Sequence, residues 1–121
     1  MEQKKILIVD DSMVVSGTLG DVLEAEGYSV TRCGDAASAL SLTRQGCFDI
    51  VITDHVMPGM KGVEMTRRMR FRCPGSFIIG ISAGHKKKDF IEAGADAYLN
   101  KPFTVLELLV AIRKCTGEDQ G

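Results

Sequence analysis

Five short apolar runs, each followed by a stretch long enough for a helix, restrict the fold of this chain more than any other feature. The runs lie at residues 6–9, 29–33, 50–53, 77–81 and 97–99. Strand patterns that alternate with helix-length segments predict βαβ units, whose strands pair in parallel. Residues 50–53 are apolar or β-branched throughout, which is typical of a strand buried on both faces of such a sheet. The chain therefore predicts an α/β fold.

The segments between the runs carry helix patterns of unequal strength. Helices are predicted between Ser12 and Gly27, from Asp35 to Gly46, over residues 60–71 and after Thr104, because each has an apolar stripe, a cap or both. The helix pattern is weaker over residues 82–93. This stretch has one apolar pair, and its three lysines lie at the expected helix start, where the helix dipole disfavours cations. In the third helix we expect Met65 and Met69 to point inward and the arginines at 67, 68, 70 and 72 to be mostly solvated.

The length and charge limit the classes of protein. A chain of 121 residues suits one domain, which we place at residues 1–121, with a core of about 4–116 and a tail or linker start at 117–121. The formal net charge of -1 argues against direct nucleic-acid binding. Each apolar run is far shorter than a signal peptide or a membrane span, so we expect a cytoplasmic protein with no membrane contact.

The four cysteines give no sign of a metal site or a disulfide framework. They are widely spaced, contain no C-x-x-C pair and have no neighbouring histidine: Cys33, Cys47, Cys73 and Cys115. We therefore expect buried or partly buried free thiols.

Charged and hydroxyl side chains follow the apolar runs at the points where the strands should end. Asp10 and Asp11 follow the first run, Asp54 the third, Ser82 the fourth and Lys101 the fifth. The carboxyl ends of parallel strands share one edge of the sheet, which is where ligands bind in open α/β folds. Taken singly, Asp54 could equally be a helix cap or a turn residue. Their joint placement favours a functional site.

Three carboxylates at one edge of the sheet require a cation. Each close pair repels by about 4 kcal/mol at an effective dielectric near 20. A few carboxylate ligands with positions left for water and a phosphate oxygen suit Mg²⁺. A lysine and a hydroxyl facing such an ion are what a phosphoryl group needs, because its three oxygens carry the charge during transfer.

The chain resembles the receiver domain of two-component response regulators over about residues 4–116. The matching motifs are residues 6–11 (ILIVDD), Asp54-x-x-Met57-Pro58-x-x-x-Gly62, residues 81–83 (ISA), residues 94–98 (GADAY) and residues 101–103 (KPF). The resemblance implies a flavodoxin-like, doubly wound (βα)5 three-layer sandwich with the parallel strand order 2-1-3-4-5. It also implies a phosphorelay switch that catalyses only its own phosphorylation and dephosphorylation.

The resemblance assigns a role to each matching residue. Asp54 would accept a phosphoryl group from the phosphohistidine of a histidine kinase or a histidine phosphotransfer protein, and would also bind Mg²⁺. The remaining metal ligands would be Asp10, Asp11 and the backbone carbonyl of Val56. Lys101 and Ser82 would contact the phosphoryl group, Ser82 and Tyr98 would form the switch, and Pro102 would follow a cis peptide bond. The output partner or domain is not implied.

Other classes of protein fit these residues less well. A phosphatase of the haloacid dehalogenase kind uses Asp-x-Asp at its nucleophile, whereas Val56 stands two residues after Asp54. A flavin phosphate would need donors in the first βα loop, which is acidic here. A degenerate receiver that only binds partners would have lost an acid or Lys101, and this chain keeps them.

Overall fold

A computed structural model describes residues 3–116 of the chain. Within these residues five strands alternate with five helices, and one short 3-10 turn, Thr43–Gln45, follows the second helix. The strands are β1 (Lys5–Val9), β2 (Ser29–Cys33), β3 (Ile50–Asp54), β4 (Phe77–Ser82) and β5 (Ala97–Asn100). The helices are α1 (Met13–Ala25), α2 (Ala36–Leu42), α3 (Gly62–Arg72), α4 (Lys87–Glu92) and α5 (Val105–Thr116). The tail predicted at 117–121 lies outside the described residues.

The strands form one parallel sheet in the order β2-β1-β3-β4-β5, which confirms the predicted flavodoxin-like topology. The register aligns Val9 with Thr53, Asp54 with Ile81, and Ser82 with Asn100. Because all five strands run the same way, the residues that follow them meet at one edge.

Two hydrophobic clusters cover the two faces of the sheet. Alternate residues of β1 divide between them: Leu7 and Val9 pack with α2 and α3, whereas Ile6 and Ile8 pack with α1 and α5. Met65 and Met69 are fully buried in the first cluster, as predicted from the helical spacing. Both faces being covered explains why the central strands are apolar throughout. None of the helices described over residues 3–116 combines the length and apolarity needed to cross a membrane.

Helix α3 begins at Gly62, two residues after the predicted start at 60. The chain first turns at Gly59, whose φ of 76° is in the left-handed region. Gly62 then packs so closely that a Cβ there would lie 1.9 Å from the carbonyl oxygen of Asp54. The glycine therefore lets α3 start directly beside the end of β3.

Of the four arginines of α3, Arg70 is less solvated than predicted, with its side chain 26% exposed. The Arg70 guanidinium donates hydrogen bonds to the carbonyl oxygens of Pro74, Ser76 and Gly94 and pairs with Asp96. Arg72 donates to the carbonyl oxygen of Leu40 at 2.8 Å. The prediction of a mostly solvated face therefore holds for Arg67, Arg68 and Arg72, which are exposed, and is wrong for Arg70, whose guanidinium bonds loop carbonyl groups.

The prediction of four free thiols was also wrong. Cys47 and Cys73 form a disulfide, while Cys33 and Cys115 are free. Cys47 lies just before β3 and Cys73 just after α3, and the helix returns antiparallel to its strand. The two cysteines therefore come together although 26 residues separate them in sequence. Spacing alone cannot reveal such a pair.

A capping box starts α5, and its loss gives a stability prediction. The Thr104 Oγ1 accepts a hydrogen bond from the backbone N–H of Glu107 at 3.0 Å, and the Glu107 carboxylate accepts from the backbone N–H of Thr104 at 3.0 Å. Thr104→Ala is expected to lower the free energy of unfolding by about 1 kcal/mol. Urea titration followed by circular dichroism measures this. Thr104→Ser keeps the acceptor and serves as the control, and a loss as large as that of alanine would exclude the cap as the cause.

Candidate functional site

Four charged side chains meet at the carboxyl edge of the sheet. Asp10 and Asp11 follow β1, Asp54 ends β3 and Lys101 follows β5. One carboxylate oxygen from each of the three aspartates lies within 4.8 Å of the others. The Lys101 Nζ atom lies 3.3 Å from Asp10 Oδ2 and 3.5 Å from Asp54 Oδ1. The grouping predicted from the sequence is therefore present in the folded chain.

Backbone donors fix the two buried carboxylates. The N–H of Ser12 donates to Asp10 Oδ1 at 2.9 Å, and the N–H of His55 donates to Asp54 Oδ1 at 2.8 Å. Asp10 and Asp54 are buried, whereas Asp11 is exposed. The cluster thus has two oriented inner carboxylates and one outer carboxylate open to water.

Burial is the main influence on the ionisation of Asp54. It raises the pKa of the Asp54 carboxyl group above its ordinary value, while the His55 N–H and Lys101 act in the opposite direction and Asp10 adds to the rise. Three carboxylates face one ammonium group here, so negative charge remains in excess. A hard divalent cation with oxygen ligands fits this donor set, and the cluster could hold one.

Ser82 ends β4 and is buried, one residue beyond the Ile81 that aligns with Asp54. Its Oγ accepts a hydrogen bond from the N–H of Gly84 at 3.0 Å. Its carbonyl oxygen accepts one from the N–H of Lys101 at 2.8 Å, which joins the ends of β4 and β5. The hydroxyl thus links the strand end to the β4–α4 loop. The Lys101–Pro102 peptide bond is cis, as the resemblance implied.

Tyr98 lies on β5 and contacts the loop beside Ser82 rather than the charged cluster. Its hydroxyl lies 2.8 Å from Asn100 Oδ1 and 3.1 Å from the carbonyl oxygen of Ser82, and it accepts a hydrogen bond from the N–H of Lys86 at 3.0 Å. Its ring packs against Phe90, with the centroids 5.7 Å apart. The sequence interpretation missed Asn100 and Lys86, because a single asparagine after a strand and one lysine of three carry no distinguishing pattern.

Val56 and His55 follow Asp54 and point to different surroundings. Val56 is 63% exposed. The His55 imidazole accepts a hydrogen bond from the N–H of Val63 at 3.4 Å and lies edge-on to Phe90. Burial, the largest influence, and the nearby lysines lower the pKa of His55. Only its backbone N–H, which the sequence interpretation did not consider, serves the site.

Comparison with known families identifies this arrangement. The family model described as "Response regulator receiver domain" matches residues 6–113. The chain belongs to this family. The receiver domain is similar to the probable transcriptional regulatory protein TcrX of Mycobacterium tuberculosis, with 32% identity over 89% of this chain and 47% of that protein. It is also 34% identical to the DNA-binding response regulator MtrA of Mycobacterium leprae over 92% of this chain and 50% of that protein. The chain spans about half the length of these curated relatives.

Solved structures agree with the family assignment. A CheY-like receiver domain protein from Methanospirillum hungatei superimposes with a TM-score of 0.90 at 30% identity, covering 99% of this chain and 100% of that one. TrrA from Thermotoga maritima, solved in complex with Mg²⁺-BeF, has a TM-score of 0.86 at 32% identity and covers 93% of this chain and 99% of that one. The receiver fold predicted from the sequence motifs is confirmed.

Proposed function

We propose that Asp54 of this receiver domain accepts a phosphoryl group from the phosphohistidine of a sensor kinase or a histidine phosphotransfer protein. The observation that supports it best is the Asp54 carboxylate, buried at the end of β3, beside Lys101 and within the acidic cluster. The remaining roles follow from the positions around it.

The proposed transfer forms one bond and breaks one bond. An Asp54 carboxylate oxygen attacks the phosphorus, an acyl phosphate O–P bond forms, and the P–N bond to the donor imidazole breaks. The donor imidazole leaves with the electron pair of the P–N bond; it is neutral if its other ring nitrogen already carries a proton, and otherwise it takes one from water. Asp54 Oδ1 is held by the His55 N–H, which leaves Oδ2 as the less restrained oxygen. We assign the attack to Oδ2.

Mg²⁺ is the cation that we propose for the acidic cluster, with Asp10, Asp11, Asp54 and the backbone carbonyl of Val56 as its ligands. When bound, the ion neutralises charge that develops on the phosphoryl oxygens. TrrA, a related receiver domain, was solved with Mg²⁺-BeF, which supports the choice. The repulsion among the three carboxylates also supports a cation of this charge.

Lys101 and Ser82 would hold the phosphoryl group once it is on Asp54. The Lys101 ammonium already lies between Asp10 and Asp54, so it can pair with a phosphoryl oxygen with little movement. The Ser82 hydroxyl can donate to another oxygen if it exchanges its contact with the Gly84 N–H. Val56, two residues after Asp54, offers no general acid for turnover on small substrates, and we propose a switch rather than an enzyme.

The test is incubation of the chain with acetyl phosphate, followed by intact mass spectrometry. We expect one phosphoryl group per chain with Mg²⁺ and none with EDTA in excess. The control is addition of Mg²⁺ to the EDTA-treated sample, which should restore the yield and show that the chain stayed folded. A yield that does not depend on Mg²⁺ would exclude the proposed site.

The switch that we propose joins Ser82 to Tyr98 through the β4–α4 loop. When Ser82 Oγ turns to the phosphoryl group, it releases the Gly84 N–H, and the loop is free to rearrange. The Tyr98 hydroxyl then loses its fixed position, because its partners, the Lys86 N–H and the Ser82 carbonyl, are in or beside this loop. The ring can then repack against Phe90. Phosphorylation shifts the population only if the phosphoryl group stabilises one of the two packings more than the other.

Amide shifts in the ¹H–¹⁵N spectrum measure this switch. We expect Mg²⁺-dependent phosphorylation to shift the amide signals of Gly84, Lys86 and Tyr98 in addition to those of the metal-site loops. Ser82→Ala should keep shifts near Asp54 and lose those at Tyr98. Shifts confined to the metal-site loops in the wild-type chain would contradict the coupling.

The output of the domain is proposed from its relatives. TcrX and MtrA are named as a transcriptional regulatory protein and a DNA-binding response regulator, and the matched region is about half of each. We propose that this chain controls a partner or a joined output domain and does not bind nucleic acid itself, in line with its net charge of -1. The single-domain extent of 1–121 and the cytoplasmic location stay predictions.

A further inference from the structure

The disulfide between Cys47 and Cys73 encloses the segment that carries the acceptor. Cys47 lies in the loop before β3 and is exposed, whereas Cys73 follows α3 and is 1% exposed within the hydrophobic cluster. All of β3, Asp54, the loop after it and α3 lie between the two cysteines. One sulfur of the bond therefore belongs to a residue open to solvent, and the other to a residue in the core.

We propose that Cys47 and Cys73 form a reversible redox modification site, which exchanges with low-molecular-weight thiols and disulfides through Cys47. In the reducing direction, a thiolate attacks Cys47 Sγ, a mixed disulfide forms there, and Cys73 leaves as a thiolate that takes a proton. A second thiolate then attacks the small molecule's sulfur and releases the Cys47 thiolate together with the oxidised small disulfide. Two small thiols thus supply two electrons, and oxidation is the same sequence in reverse.

Exposure gives this exchange its direction. An attacking thiolate must approach along the S–S axis, and Cys47 is the exposed residue of the pair, whereas Cys73 is 1% exposed. Disulfides with an exposed sulfur are commonly the exchangeable ones, whereas enclosed disulfides are structural. Cys73 therefore acts as the resolving thiol that closes the bond again when a mixed disulfide forms on Cys47.

The other two cysteines do not compete for the small molecule. Burial raises the pKa of Cys33 to about 11 and also raises the pKa of Cys115. Both are therefore harder to ionise than an ordinary cysteine, and the thiolate is the form that attacks disulfides. They provide unreactive internal references in the same chain.

Noncovalent contacts hold the end of α3 when the bond is open. Arg72 bonds the carbonyl oxygen of Leu40, and Arg70 bonds those of Pro74 and Ser76. The backbone N–H of Cys73 donates to the carbonyl oxygen of Met69 at 2.7 Å. These contacts do not depend on the disulfide and hold Cys73 at the end of α3, so we expect the bond to open and close without unfolding.

The test uses the folded chain in a series of reduced and oxidised glutathione mixtures. After an acid quench, the chain is unfolded, its thiols are alkylated with N-ethylmaleimide and they are counted by intact mass. With four cysteines in the chain, we expect four alkylated thiols in reducing mixtures and two in oxidising mixtures, in both directions of titration. Near-ultraviolet circular dichroism should show a folded chain throughout.

Single variants test the assigned order of attack. In oxidised glutathione, Cys73→Ser should accumulate a glutathione adduct on Cys47, and Cys47→Ser should give little adduct on Cys73. A Cys33→Ser, Cys115→Ser double variant should still switch, between two thiols and none. The proposal is overturned if the folded chain keeps the same thiol count in every mixture, if the count changes only when the chain unfolds, or if the adduct forms mainly on Cys73.

Discussion

Asp54→Asn is expected to lower phosphoryl acceptance by roughly 100-fold or more, because an amide oxygen is a very poor nucleophile where a carboxylate is a competent one. The asparagine has nearly the same shape, and its Oδ1 can still accept the hydrogen bond that the His55 N–H donates to Asp54. The change therefore removes the reacting group with little change in the packing around it. Intact mass after incubation with acetyl phosphate and Mg²⁺ measures the yield.

The stability of Asp54→Asn separates lost chemistry from lost structure. Burial raises the pKa of Asp54 in the folded chain, so ionisation of this group opposes folding at neutral pH when no cation is bound. This cost is present above the folded pKa and fades as the pH falls below it. The variant should therefore be at least as stable as wild type in EDTA, as urea titration will show.

Asp35→Asn is the matched control for this substitution. Asp35 caps α2 by accepting a hydrogen bond from the N–H of Ser38 at 2.7 Å, and asparagine caps helices about as well as aspartate. It lies outside the acidic cluster of Asp10, Asp11 and Asp54. The phosphoryl acceptance of Asp35→Asn should equal that of wild type. If Asp54→Asn keeps more than a tenth of the wild-type yield, another residue is the acceptor.

The strands and the grouping of the candidate site residues were predictable because both follow from the packing of a parallel sheet. A parallel sheet buried on both faces needs apolar runs, and each run ends where the chain leaves the sheet, so the residues after the runs gather at one edge. Asp10, Asp54 and Lys101 follow this rule, and their contacts in the folded chain agree with it. The weak helix pattern before Ala93 likewise corresponds to a helix of only six residues.

The features that were missed depend on contacts between segments distant in sequence. Arg70 reads as one more solvated cation until the loops at 74–76 and 94 bring carbonyl groups to it. Cys47 and Cys73 join only because α3 returns along β3. The Tyr98 hydroxyl meets Lys86 only after the β4–α4 loop folds over it. Each contact is specified by tertiary packing, for which a local pattern has no signal.

The lifetime of the acyl phosphate should depend on Val56 and Gly84. Hydrolysis needs a water molecule in line with the bond to Asp54, and we expect the residues two after Asp54 and two after Ser82 to border its approach. Val56 is exposed and apolar, and Gly84 has no side chain, so neither can orient or deprotonate the water. Positioning contributes a large part of phosphoryl-transfer rates. A comparatively long-lived phosphorylated state is therefore expected.

Polar side chains at these two positions should shorten that lifetime. Val56→Asn and Gly84→Glu are each expected to speed first-order loss of phosphate by about ten-fold, which corresponds to about 1.4 kcal/mol of positioning. The site can accept both changes, since Val56 faces solvent and a Cβ at Gly84 would lie 3.5 Å from Ser82 Oγ, an ordinary contact.

Val56→Ala and Gly84→Ala separate positioning of the water from its access. Both alter the space beside the phosphoryl group without adding a polar atom, so their decay should match wild type if positioning limits hydrolysis. Loss of phosphate is followed by intact mass after the phosphoryl donor is removed. If the polar variants decay no faster than wild type, or if Val56→Ala alone accelerates decay as much as Val56→Asn, then entry of water limits the reaction and the exposed valine acts as a cover.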